Sequence, residues 1–299
     1  MINKKIIQKM VSVMPAIDPC VILRFFCGEH VFPGQGIRMK QYIRRAAAIL
    51  ILISFAPGGG DRPCAAEERS AGAPSKRWSA GVGAIYTDNP YKGTDGHDFL
   101  SIPFVSFRGS WLTIQGPQVS CLLKKWEQIA LAGMIEYRFG GYDADDSDDL
   151  AGMTARRQSV DAGLSCSLPI TRYAQASFSV LRDILRRHRG VSGRLTVASY
   201  VPYKKWFVSP YCGLQLLNKT FSDYYFGVRA AEARAGRPEY HPGTCYNPIA
   251  GVRAGYTFAE AYTAVLGAEI KVLDPAIADS PIVGEERMSS IQAAVLYQF

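Results

Sequence analysis

From residue 78 to the C-terminus, apolar side chains recur at every second position in segments of about ten residues. Successive residues of a β-strand point to opposite faces, so this period puts a greasy face against a polar one. Trp78, Ala80, Val82, Ala84 and Tyr86 share one face, with Ser79, Gly81 and Gly83 on the other. Ile129, Leu131, Ile135, Tyr137 and Phe139 oppose Ala130, Ala132, Glu136 and Arg138. Val160, Ala162, Leu164, Cys166 and Leu168 oppose Asp161, Gly163, Ser165 and Ser167. The last segment places Ile291, Ala293, Val295, Tyr297 and Phe299 on one face. No apolar run reaches 18 residues, which excludes a helical membrane protein.

A soluble β-sandwich would show the same alternation, so the connections decide. Short links are expected at 108–110, 124–125, 169–172, 202–205 and 259–260. Long ones are expected at 87–98, 140–156, 185–190, 218–247 and 273–287. The two kinds alternate if a tight turn at Gly116-Pro117-Gln118 splits 111–123 into two short strands. The expected fold is then all-β: a transmembrane antiparallel up-and-down barrel of twelve strands, or ten without that split. Short turns on one side, long loops on the other and an even strand count are the outer-membrane pattern.

The aromatic residues point the same way. Trp78, Trp111, Trp126 and Trp206 begin alternate strands, and Tyr173 and Tyr262 take that place in the remaining two. Rings at one level would form a membrane-interface girdle. The chain closes on Tyr297 and terminal Phe299, which resembles the signal read by the barrel-assembly machinery. Outer-membrane lipid and lipopolysaccharide are the surroundings such a barrel implies.

The overall charge of +8 invites a nucleic-acid reading, but the excess is local. Residues 1–66 hold nine Lys and Arg against three Asp and Glu, leaving 25 against 23 for residues 67–299. No nucleic-acid partner is expected for the nearly neutral remainder. The basic start belongs to export. Met39, Lys40, Arg44 and Arg45 precede the apolar stretch Ala46 to Ala56, and Cys64-Ala65-Ala66 offers a cleavage site after Ala66. Residues 39–66 therefore read as a cleavable signal peptide and 67–299 as the barrel domain. Residues 1–38 read as an upstream extension or mis-assigned start, or else as a long leading segment of the signal.

Cys121, Cys166, Cys212 and Cys245 contain no CxxC pair, so a zinc site is unsupported. Disulfides are permitted, and unpaired small apolar roles are expected instead. Asp143, Asp145, Asp146, Asp148 and Asp149 crowd one loop. A calcium site of the EF-hand kind fails, because Asp148 stands where Gly is required and Thr154 where Glu is required. No metal or cofactor is expected. His97, His188 and His241 all fall in expected outer loops and read as surface residues rather than catalytic bases. Val228 to Ala235 reads as a short helix closed by Gly236. The lumen-facing charges Glu136, Arg138, Asp161, Arg194, Arg253, Glu269 and Lys271 form a candidate polar network. They either pair and plug the lumen or line a narrow pore.

Four segments carry a family resemblance. They are Asn89-Pro90-Tyr91-Lys92-Gly93-Thr94-Asp95, Asp148-Asp149-Leu150-Ala151-Gly152-Met153, Tyr225-Phe226-Gly227-Val228 with Ala230-Ala231-Glu232-Ala233-Arg234-Ala235-Gly236, and Ala278-Asp279-Ser280-Pro281-Ile282-Val283. In this order they resemble the MipA/OmpV family over roughly 78–299. The resemblance implies an outer-membrane barrel. It also implies a non-enzymatic scaffold role beside a lytic murein transglycosylase and a murein synthase, with no catalytic residues to transfer. A small-solute porin is the alternative, and an outer-membrane hydrolase comes third. Lys124, Lys125, Lys204 and Lys205 are the basic features expected on the periplasmic side.

Overall fold

The computed structural model describes residues 77–299; the extension 1–38, the signal 39–66 and its cleavage after Ala66 lie outside the described residues. Thirteen strand segments follow one another: β1 (Arg77–Asp88), β2 (His97–Arg108), β3 (Leu112–Gln115), β4 (Gln118–Trp126), β5 (Ile129–Arg138), β6 (Ser159–Thr171) and β7 (Ala174–Asp183). Then come β8 (Val191–Ser199), β9 (Val201–Tyr203), β10 (Trp206–Leu217), β11 (Cys245–Phe258), β12 (Tyr262–Val272) and β13 (Arg287–Gln298). β8 and β9 both pair with β10 and are one strand interrupted at Tyr200. Each strand pairs antiparallel with its sequence neighbours, and β13 pairs with β1. The result is a closed twelve-stranded up-and-down barrel, in which each strand is paired on both edges over at least part of its length.

Side-chain alternation becomes inside and outside. Val82, Ile135, Leu164, Phe178, Leu195, Val208, Leu266 and Ile291 stand exposed on the outer face. Met134, Asp161, Leu181, Ser192, Thr196 and Gln292 are buried on the inner one. At the closing seam the two strands lie close. A Cβ on Gly81 would fall 1.9 Å from the carbonyl oxygen of Val295, so the seam needs glycine there.

The tight turn at Gly116-Pro117 exists. Gln115 pairs with Gln118, and Gly116 takes a left-handed φ of 56° that leads into proline. A positive φ at the first turn position is the type II′ form that suits hairpins. One short link is corrected. Lys124 and Lys125 lie inside β4, and the turn falls at 127–128, with Glu127 at φ 41°. Cys121 to Trp126 pair with Gly133 to Ile129 around a bulge at Leu122–Lys124, which carries the ladder past the expected break. Trp126 therefore ends an even strand rather than beginning an odd one.

The long loop after β10 is also corrected. Its helix, α1, spans Lys219–Phe226, not Val228 to Ala235. Asn218 decides this, because its side chain accepts the amide hydrogen of Phe221 as an N-cap. Residues Ala230–Glu232 make a single 3-10 turn, and Gly236 takes φ 82° in the tight turn between Arg234 and Arg237. A second short helix, α2 (Pro275–Ala278), starts on the Asp274 cap.

Candidate functional site

The long loops do not wave freely. Those after β1, β5, β10 and β12 supply one hydrophobic core, with Tyr91, Tyr142, Leu150, Met153, Phe221, Tyr225, Val228, Ile277, Ile282 and Val283 all buried. Three of these loops leave the barrel four strands apart, after the first, fifth and ninth strands of the ring, and still meet. Tyr91 stacks edge-on to Tyr142 at 4.6 Å and donates its hydroxyl to the carbonyl of Tyr225. Arg156 of the second loop forms a buried ion pair with Glu232 of the third, at 2.8 Å. Arg237 donates to the carbonyls of Asp149 and Ala151. Loops rooted a third of the circumference apart can only meet by crossing the mouth, so they form a cap over it.

Electrostatics hold this cap. Burial opposes the charge on Glu232, but hydrogen bonds from Arg156 and the Thr154 amide outweigh it and hold the carboxyl at about 2. Burial pushes the Tyr142 phenol up to about 12. Burial likewise raises Tyr91.

Beneath the cap the lumen charges sort into two groups. Arg138 donates through Nε to Asp161 at 2.9 Å and through Nη2 to Ser192, lies 3.8 Å from Glu136, and stacks over Phe221 of α1. Asp161 also accepts from Ser159 and from Nε2 of His188. The second group has Tyr211 donating to Glu269 at 2.7 Å, with Arg253 over the Tyr211 ring. Arg194 forms no ion pair among the described residues. Lys271 faces the same lumen, within electrostatic reach of Glu269 and Arg194 and of Glu136 and Arg138.

His188 is corrected. It is 2% exposed, not a surface residue. Its Nδ1 accepts the Gly190 amide hydrogen, so Nε2 carries the proton it gives to Asp161. Asp183 folds the loop inward by accepting the amides of Leu185, His188 and Arg189. Asp161, Asp183 and His188 have metal-like spacing. Every one of their ligand atoms already has a protein hydrogen-bond partner, the arrangement of a structural network rather than an open ion site. His97 and His241 are exposed, beside Asp88 and beside Glu239 and Asp223. In the acidic loop, Asp143 pairs with Arg157 at 3.1 Å, and the backbone carbonyls of Asp148 and Asp149 engage Arg234 and Arg237.

At the opposite end, Trp78, Trp111, Trp126, Tyr173, Trp206 and Tyr262 all lie at the short-turn rim, all exposed but Trp126, which is half-buried. Lys124 lies over Trp126 at 4.9 Å, Arg172 over Tyr173 at 4.4 Å and Lys204 over Tyr203 at 5.5 Å. Tyr297 and Phe299 point outward at the same rim. Cys121, Cys166, Cys212 and Cys245 are free thiols.

The relatives in sequence are named as outer membrane proteins. The putative outer membrane protein YiaT of Escherichia coli (strain K12) is 25% identical over 232 residues, covering 77% of this chain and 94% of YiaT. Outer membrane protein OmpV of Vibrio cholerae is 26% identical over 158 residues, 53% of this chain and 61% of OmpV. The translocator domain of autotransporter NalP from Neisseria meningitidis superposes with a TM-score of 0.37 at 10% identity, covering 87% of this chain and 95% of that domain. The family described as MltA-interacting protein MipA matches residues 80–299, and this outer-membrane β-barrel protein belongs to that family.

Proposed function

We propose that the protein is a non-enzymatic, non-conducting interaction barrel, the MipA-type link between a lytic murein transglycosylase and a murein synthase. One observation carries the reading: loops rooted four strands apart close the outer mouth over a shared core. A general diffusion channel needs that mouth open. The partner surface then lies on the periplasmic rim, where Lys124, Arg172 and Lys204 present cations over aromatic rings. The six rim aromatics act as the interfacial girdle, Tyr297 and Phe299 as the barrel-assembly signal, and the exposed acidic loop faces lipopolysaccharide.

The experiment is affinity capture of the tagged protein from gently solubilised envelopes, with partners identified by mass spectrometry. Enrichment of a lytic transglycosylase and a murein synthase over a control barrel is the expected result. Their absence, with the barrel recovered intact, would remove the scaffold role. A small-solute porin is the second reading, favoured by Arg194 standing in the lumen without an ion-pair partner among the described residues. Steady open channels in a planar bilayer would select it.

A further inference from the structure

We propose that the barrel wall has a lateral opening in its outer half, through which an anionic amphiphile places its head group in the lumen. The opening follows from the short hairpin β3–β4. Its turn stops partway up the wall, where the Gly116 amide donates to Val105 and the Pro117 carbonyl accepts from Tyr137. β3 pairs with β2 only from Ser106 to Arg108. Above that level β2 keeps its ladder with β1 from His97 onward, and no strand of the described residues pairs with its other edge. β5 rises only two residues above Glu136, to Arg138, with the Tyr137 amide bonded to Pro117, and its chain continues to the Tyr142–Arg156 bridge. Two strand positions are vacant, so the walls stand about 14 Å apart, with about 26 Å of β2 and about 7 Å of β5 rising above the turn. The loops bridge the top, with Ser147 donating to the Lys92 carbonyl at 2.7 Å. The gap is therefore a window, framed on all four sides.

Unpaired strand edges are tolerated at membrane depth only where they line a polar cavity or protein. A polar cavity reaches the β5 side of this gap and runs along the inner wall of β5 to β8. It measures about 200 Å³, and its lining includes Pro117 and Gln118 at the sill, Arg138 and Arg194, and Tyr137 and Phe139 at the jamb. That volume is about the space of seven water molecules, enough for a head group and not for an acyl chain. The chain must then pass out through the window. Its frame suits one: Phe99 is 70% exposed, and Leu100 is 37% exposed although it points inward. Pro103 has no amide hydrogen to leave unpaired on that edge. Arg138 is committed to Asp161, whereas Arg194 has no ion pair among the described residues and supplies the anion's partner.

The test is photolabelling of the assembled wild-type barrel with diazirine palmitate, with a two-chain diazirine phosphatidate and with the neutral diazirine alcohol of palmitate's length. Adducts are mapped by mass spectrometry. Adducts on lumen-facing Gln118, Ser177 or Thr196 from either anionic probe are expected, and whichever probe gives them identifies a free fatty acid or a bilayer lipid as the source. The alcohol and Arg194→Gln should each lower lumen labelling at least tenfold, while Arg194→Lys retains it. Adducts confined to outward residues away from the cavity, such as Leu266 and Ile291, for every probe would overturn the proposal. So would equal lumen labelling by the alcohol, a comparison within the wild type that needs no variant to fold. A dimer in native mass spectrometry that shields β2 from all probes would overturn it as well.

Discussion

Arg156 and Glu232, 76 positions apart in sequence, form a buried ion pair that fastens the loop after β5 to the loop after β10. Neither loop belongs to the barrel wall, so the pair bears on the cap alone. Removing one partner leaves the other charge buried, at a cost of about 3–5 kcal/mol. Glu232→Ala is therefore expected to open the cap while the barrel persists. Hydrogen exchange of residues 228–240 should quicken by about two to four orders of magnitude, with strand amides unchanged. Equal quickening in the strands would contradict a separable cap.

The same pair sets an acid limit. The folded carboxyl of Glu232 sits at about 2 against an ordinary 4.5. A depressed carboxyl contributes stability that is whole above the ordinary value and is lost as pH falls towards the folded one. The near-ultraviolet circular dichroism of the Tyr91, Tyr142 and Tyr225 cluster should hold steady from pH 8 to 5 and decay between about 4.5 and 2. In Glu232→Gln that acid step should vanish.

At the closing seam the expected effect is on the barrel itself. A side chain on Gly81 collides with the Val295 carbonyl, a backbone atom that cannot swing aside. Gly81→Val should force β1 and β13 apart and reduce the heat-modifiable, folded band on a gel. Val82→Ala, one residue away on the lipid face, should leave that band intact.

The barrel was legible because its physics is periodic. Two-residue alternation, link lengths and rim aromatics each report on strands spanning a membrane, and even the Gly116-Pro117 turn follows from local chemistry. The cap was not legible, because it depends on contacts between residues far apart in sequence. Glu232 reads as a lone acid among alanines, and nothing local reveals Arg156 opposite it. His188 looks like a loop histidine beside three arginines until Asp183 gathers the backbone amides and turns the ring inward. The helix position escapes the sequence for a related reason. Alanine content favoured 228–235, while one capping bond at Asn218 fixed the helix over 219–226.

Phe299 separates a stability role from a recognition role. It is 73% exposed on the outer face, so its ring buries little against protein. Its amide donates to the Trp78 carbonyl at 2.9 Å, one bond among many along the β1–β13 seam. A backbone bond survives replacement of the side chain, so Phe299→Ala should refold in detergent with a melting temperature close to that of the wild type. Assembly in cells is a different matter if the terminal ring is what the assembly machinery reads. The membrane-inserted fraction should then fall several-fold, with unassembled chain accumulating or degraded in the periplasm. Equal losses in detergent refolding and in cells would make Phe299 a structural residue and remove the signal role.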